Sequence, residues 1–283
     1  MNLFNIIDEI EKVDPEIRDR LNPRRAAIKN ITSFGSKVAV AAMPFAIGTM
    51  FKKAYGQSST SVTEVLNFAL TLEHLEAAFY NAGAAKAGLI PAADSAYLNL
   101  IKRDENAHVK FLQGVITTLG GMPVTPATYD FTGGNNKGNG PFADVLSNYA
   151  TFLAVAQVLE DTGVRAYKGQ APNLIGNKDI LTPALSIHAV EARHAAAIRQ
   201  LRRSLGQAPT IKPYIVSSAT LGNDTGVPAA NNNYKGEENV TQGGVNLVTA
   251  LGVSVQVATA SFDEPLSKED VVALVVGSFI VTN

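Results

Sequence analysis

Two stretches decide how this chain folds: RDENAHVKFL at residues 103–112 and HAVEARHAAAI at residues 188–198. Each carries a Glu-x-x-His, Glu105 with His108 and Glu191 with His194. Upstream of each lies a Glu-x6-Tyr, Glu73 with Tyr80 and Glu160 with Tyr167. Glu73 and Glu160 are 87 residues apart, as are Tyr80 and Tyr167; the two Glu-x-x-His pairs are offset by 86. A Glu-x6-Tyr segment followed by a Glu-x-x-His segment therefore occurs twice, in register.

Helical geometry explains the spacings. At 3.6 residues per turn, positions three, four or seven apart share a face. Glu105 and His108 can thus aim at one point inside a bundle, and so can Glu191 and His194. Carboxylate oxygens with imidazole nitrogens suit iron, manganese or zinc. Two such ions bring a charge of about +4, which four buried carboxylates nearly neutralise. One Glu-x-x-His is most often a surface pair. Two, each preceded by an equivalently placed Glu-x6-Tyr, make the ligand set of a carboxylate-bridged two-metal centre in a four-helix bundle.

Four segments carry a family resemblance: LNFALTLEHLEAAFY (66–80), RDENAHVKFL, LEDTGVRAY (159–167) and HAVEARHAAAI. They resemble the ferritin-like superfamily, specifically the ferritin-like-domain proteins grouped with the desiccation-related type. The resemblance implies an all-α, four-helix bundle with a long crossover between the second and third helices. It also implies roles: Glu73 and Glu160 as terminal ligands, Glu105 and Glu191 as bridges, His108 and His194 each capping one metal. Asp104 is similar to the supporting acid that orients a ligand histidine in such centres. Val190 stands at its place in the second half, so the two halves are not identical. Cage-forming ferritin subunits lack a long C-terminal tail, so no storage cage is expected here.

Composition narrows the alternatives. Hydrophobic residues make up 46% of the 283 and charged ones 17%, which fits a folded protein rather than a disordered chain. A net charge of -1 gives no basic footprint for nucleic acid. The absence of cysteine excludes thiolate metal sites, iron–sulfur clusters and disulfides.

Three regions are expected: a leader or signal-like segment over 1–58, the bundle over 59–206, and an extension over 207–283. Pro23-Arg24-Arg25 ahead of the apolar run Val38 to Phe51 resembles a twin-arginine export signal. Export by that machinery implies the periplasm or cell envelope. The alternative is a helical segment packing on the bundle or a partner, in a cytoplasmic protein.

Within the bundle, the capping box Ser61-x-x-Glu64 starts a helix running to about Ala82. The second helix follows Pro91 and stops before Gly120-Gly121, about 27 residues or roughly 40 Å. Residues 120–140 read as one loop. The third helix is expected from after Pro141 to near Gly169, and the fourth from Thr182-Pro183 to Gly206. Beyond it, 207–244 read as irregular, Val245 to Ala260 as strand or helix, and Ser267-x-x-Asp270 caps a last helix to about Phe279. This tail is expected to cover the bundle or to serve a homo-oligomer contact.

Several residues near the motifs have two readings. Tyr80 and Tyr167 are candidate catalytic residues, hydrogen-bonding the ligands or holding a radical during O2 chemistry, or else buried tyrosines each with one satisfied hydroxyl. Glu76, one turn after Glu73, and His188, one turn before Glu191, are candidates to support the metal ligands, with Asp104. His74 is expected to face away and Asp161 to be a solvated or loop-facing charge. The expected cofactors are two iron or two manganese ions, or zinc. The expected function is redox chemistry on O2 or peroxide (ferroxidase, peroxidase or catalase-like) in stress defence; the alternative is a non-catalytic, metal-sequestering or structural desiccation protein.

Overall fold

The computed structural model describes residues 61–207, 210–216 and 228–282. The signal-like segment lies outside the described residues. Four long helices form the bundle: α1 (Val62–Ala85), α2 (Ala92–Thr118), α3 (Tyr149–Leu174) and α4 (Lys178–Ser204). Helix α1 packs on α2 and α3 on α4, and α1 against α3 joins the two hairpins. Residues 119–148 make the crossover between them, as the ferritin-like topology requires.

The helix ends follow local chemistry. Ser61 accepts from the Glu64 amide, while the Glu64 carboxylate accepts from the Ser61 amide, the reciprocal cap expected from the sequence. Helices α2 and α4 end alike. Gly120 and Gly206 take positive φ (76° and 68°), and the next residue's amide reaches back to Ile116 and Arg202, respectively.

Four boundaries of the bundle helices differ from expectation. Helix α1 runs on through Gly83 to Ala85. Helix α3 begins at Tyr149, because Asn148 caps the amides of Ala150 and Thr151; the residues after Pro141 form turns that bury Phe142 and Val145. It runs on to Leu174 with Pro172 inside it. Helix α4 begins at Lys178 under an Asn177 cap, so Pro183 lies within the helix at the cost of one intrahelical hydrogen bond.

The apolar interior is divided. One core gathers Leu75, Phe79, Leu98, Ile101, Phe152 and Ile198; the other gathers Val65, Leu70, Leu112, Ile116, Leu174 and Ile187. In every helix the glutamates and histidines of the repeated motifs fall between the two groups. A charged layer therefore lies between the two apolar cores.

Residues 152–167 of α3 are all buried. A helix buried on every side needs a cover on its outer face, and the tail supplies it. The tail holds a 3-10 turn (Pro228–Tyr234), a hairpin of β1 (Thr241–Gln242) and β2 (Val245–Asn246), and helices α5 (Leu247–Leu251), α6 (Val255–Thr259) and α7 (Lys268–Val275). The stretch expected to be strand or helix is thus both, and the last helix stops at Val275, short of Phe279. Val271, Val275, Phe279 and Ile280 join the first core, and Tyr129 of the crossover bridges Ile280.

Arg165, 1% exposed, fastens the cover. Its guanidinium donates to the carbonyls of Asn233, Lys235 (2.8 Å) and Glu264 (2.8 Å), and pairs with Glu237 at 2.9 Å. Gly169 lets the tail approach: a Cβ there would stand 1.9 Å from the Leu266 carbonyl oxygen.

Candidate metal centre

The charged layer contains Glu73 from α1, Glu105 and His108 from α2, Glu160 from α3, and Glu191 and His194 from α4. The four carboxylates are fully buried and the two histidines nearly so. Their donor atoms form two groups, each within 4.8 Å: Glu73, Glu105, His108 and Glu191, and Glu105, Glu160, Glu191 and His194. Glu105 and Glu191 are common to both. All six sequence candidates for metal ligation are thus brought together.

The contacts are not those of an ordinary hydrogen-bond network. Nδ1 of His108 stands 3.2 Å from Oε2 of Glu73, Oε2 of Glu105 and Oε1 of Glu191. One N–H cannot serve three acceptors. Nδ1 of His194 lies 2.8 Å from Oε1 of Glu105 and 3.4 Å from Oε2 of Glu160, yet has no hydrogen-bonding partner. Glu105 Oε1, Glu160 Oε2 and both Glu191 oxygens are likewise buried without one. Buried polar atoms are rarely left so. Donors 2.8–3.4 Å apart suit neighbours around a shared cation bonded at about 2.1 Å. The residues fit metal ions.

The tyrosines cross between the halves. The Tyr80 hydroxyl, from α1, donates to Oε1 of Glu160 on α3 at 2.5 Å; that of Tyr167, from α3, donates to Oε1 of Glu73 on α1 at 2.6 Å. Burial, then the adjoining carboxylate, pushes both phenols well above their usual range, so they remain donors. Each fixes one oxygen of its carboxylate. The other oxygen faces a histidine.

The supporting residues are unevenly placed. Asp104 lies 3.5 Å from Nε2 of His194, with Arg103 3.1 Å from its carboxylate. His188 is half-buried, outside both donor groups, with its Nδ1 lacking a partner. His74 also stands apart from both groups, its Nε2 3.2 Å from the Val124 carbonyl. Asp161, expected in solvent, is fully buried. It pairs with Arg199 (2.5 Å) and accepts from Tyr234 (2.6 Å), partners 38 and 73 residues away that local pattern does not reveal.

Gly163 is the functional position the sequence reading missed. A Cβ there would stand 3.1 Å from both Glu191 Oε2 and Glu76 Oε1. Shifted by 87 residues, Gly163 is the counterpart of Glu76 itself, so one half supplies a fifth carboxyl and the other the space beside it. A glycine inside a buried helix, costing about 1 kcal/mol against alanine, was the available signal. Gly163→Ala is expected to weaken cation binding by displacing Glu191 while helicity is retained. Calorimetric metal titration beside circular dichroism checks this; unchanged affinity would count against the tight fit.

Without a cation this layer holds protons. Burial, then Glu191, raises Glu105 from an ordinary 4.5 to about 7; burial, then Glu73, raises Glu191 to about 8. Burial pulls His194 down, but Glu160 and Glu105 outweigh it and lift the imidazole to about 11. His108 is raised likewise against burial by Glu105, Glu191 and Glu73. All these shifts make the folded state bind more protons than the unfolded one. Stability then falls as pH rises. The metal-free protein is expected to lose thermal stability as pH rises from about 4.5, through the two glutamates near 7 and 8, to the His194 range near 11, a slope that added metal removes by displacing those protons. Melting curves with and without chelator test this; stability rising with pH would contradict it.

A family model described as a ferritin-like domain matches residues 61–204, just over half of the chain. None of the curated proteins compared with the chain matches it.

Proposed function

The chain belongs to the ferritin-like domain family, and from that premise we propose that its buried cluster holds two iron or manganese ions and carries out redox chemistry on dioxygen or peroxide, in stress defence. Fold alone carries no activity. The observation that carries this reading is the sharing of Glu105 and Glu191 by both donor groups, with Glu105 Oε1 and both Glu191 oxygens buried and unpartnered. Zinc fits the same donors but supplies no electrons.

The pair's chemistry when bound is one electron from each ion, enough with two protons to reduce dioxygen to hydrogen peroxide, or hydrogen peroxide to two waters. The chain's residues set the conditions. Tyr80 and Tyr167 hold Glu160 and Glu73 in place. Glu105 and Glu191 have no tyrosine anchor, so their carboxylates are free to change how they bind as charge changes. Two apolar cores exclude bulk water above and below.

Metal analysis of the purified full-length protein, counting iron, manganese and zinc per chain, is the test. Near two iron or manganese per chain, with consumption of dioxygen or peroxide, supports the proposal. Bound metal without turnover moves the function to sequestration, of the kind the desiccation-related resemblance suggests. No metal, even after anaerobic loading with Fe(II) or Mn(II), leaves a structural or interaction role. The envelope location belongs to the same proposal and is read by cell fractionation.

A further inference from the structure

The second apolar core contains a cavity of about 20 Å3, walled by residues of all four bundle helices. Its position is fixed by sequence spacing. Ala69 in its wall lies one turn before Glu73, and Leu112 one turn after His108, so it sits about 6 Å along the bundle from the charged layer. Tyr167 is shared: its ring lines the cavity and its hydroxyl holds Glu73. At the other side Phe111, 42% exposed, borders solvent.

What fits is decided by chemistry. The room exceeds the roughly 10–15 Å3 that one water needs, yet a water also needs two or more polar partners. Of the two polar residues in the wall, Tyr167 donates its hydroxyl to Glu73 and Gln170 accepts from Asn173 at 3.0 Å, which leaves the Gln170 amide N–H groups as one partner for a guest, fewer than a water needs. Apolar cavities of this kind stay dry and admit small apolar guests. Hydrogen peroxide is excluded for the same reason as water. Dioxygen is apolar and small enough.

We propose that this cavity is a dioxygen site, through which the oxidant reaches the Glu73 and His108 side of the metal centre. The proposal rests on the redox reading and sharpens it: the oxidant is dioxygen rather than peroxide.

Xenon is the probe, an apolar atom without chemistry of its own. Crystals of the metal-loaded protein under xenon should show it beside Ala69 and Tyr167, and xenon should inhibit dioxygen consumption competitively. Filling the space with Ala69→Val or Ala184→Phe should expel xenon and raise KM for dioxygen several-fold, with metal content and kcat unchanged. Should neither variant fold, xenon inhibition of the wild type decides alone. A cavity without xenon overturns the proposal, as does a filled variant with unaltered KM. If the loaded wild type consumes no dioxygen, the redox reading itself has failed and the proposal falls with it, whatever the xenon map shows.

Discussion

Glu105→Ala and Glu191→Ala are each expected to abolish paired metal binding, with at most one weakly held ion left per chain. Each carboxylate belongs to both donor groups, so its loss strips an oxygen from two positions at once. The effect should exceed the about 10–100-fold that removal of a merely supporting partner costs. Glu73→Ala, which touches one group, should weaken one position and spare the other. Metal counting with electron paramagnetic resonance of manganese-loaded protein separates the cases, since only a close pair shows coupled spins. Full loading of either Glu105→Ala or Glu191→Ala would sink the assignment of shared ligands. The metal-free variants have an opposite expectation. Burial and neighbouring acids oppose ionisation of Glu191, so Glu191→Gln should melt higher than wild type once metal is removed, a conflict of stability with function.

Arg165→Met should destabilise the protein by about 3–5 kcal/mol, the cost of stripping one partner from a buried ion pair. Glu237, 1% exposed, would keep a carboxylate with no guanidinium beside it, and three tail carbonyls would lose their donor. The methylene stem is largely replaced, so packing loss contributes little. The readout is chemical denaturation together with limited proteolysis: cleavage should begin in the tail before the bundle opens. Equal stability, or cleavage spread evenly over the chain, would show that Arg165 does not fasten the cover.

Much of this architecture is legible in the residues because its determinants are local. The Ser61–Glu64 box, the glycines at 120 and 206, and the three-residue Glu–His spacing all act within one or two turns. The boundaries of α3 and α4 depart from local pattern where two signals compete. Pro141 and Thr182-Pro183 resemble helix starts, but Asn148 and Asn177 do the capping, and burial of Phe142, Val145 and Ile180 fixes the outcome. The site separates in the same way. Repetition at 86 and 87 residues picks out the cluster, yet not that each tyrosine reaches the glutamate of the other half. Nor does local pattern expose Asp161, whose burial depends on Arg199 and on a tail that folds over α3.

That crossing of tyrosines bears on symmetry. Each hairpin holds a glutamate whose anchoring hydroxyl comes from the other, and each donor group draws on both. Two identical hairpins associated about a two-fold axis would present the same six ligands and the same crossed hydroxyls. The crossover joins the two hairpins in one chain, which allows the halves to differ. Glu76 beside Gly163, and Asp104 where the other half has Val190, are differences no symmetric dimer could carry. They make the surroundings of the two donor groups unequal.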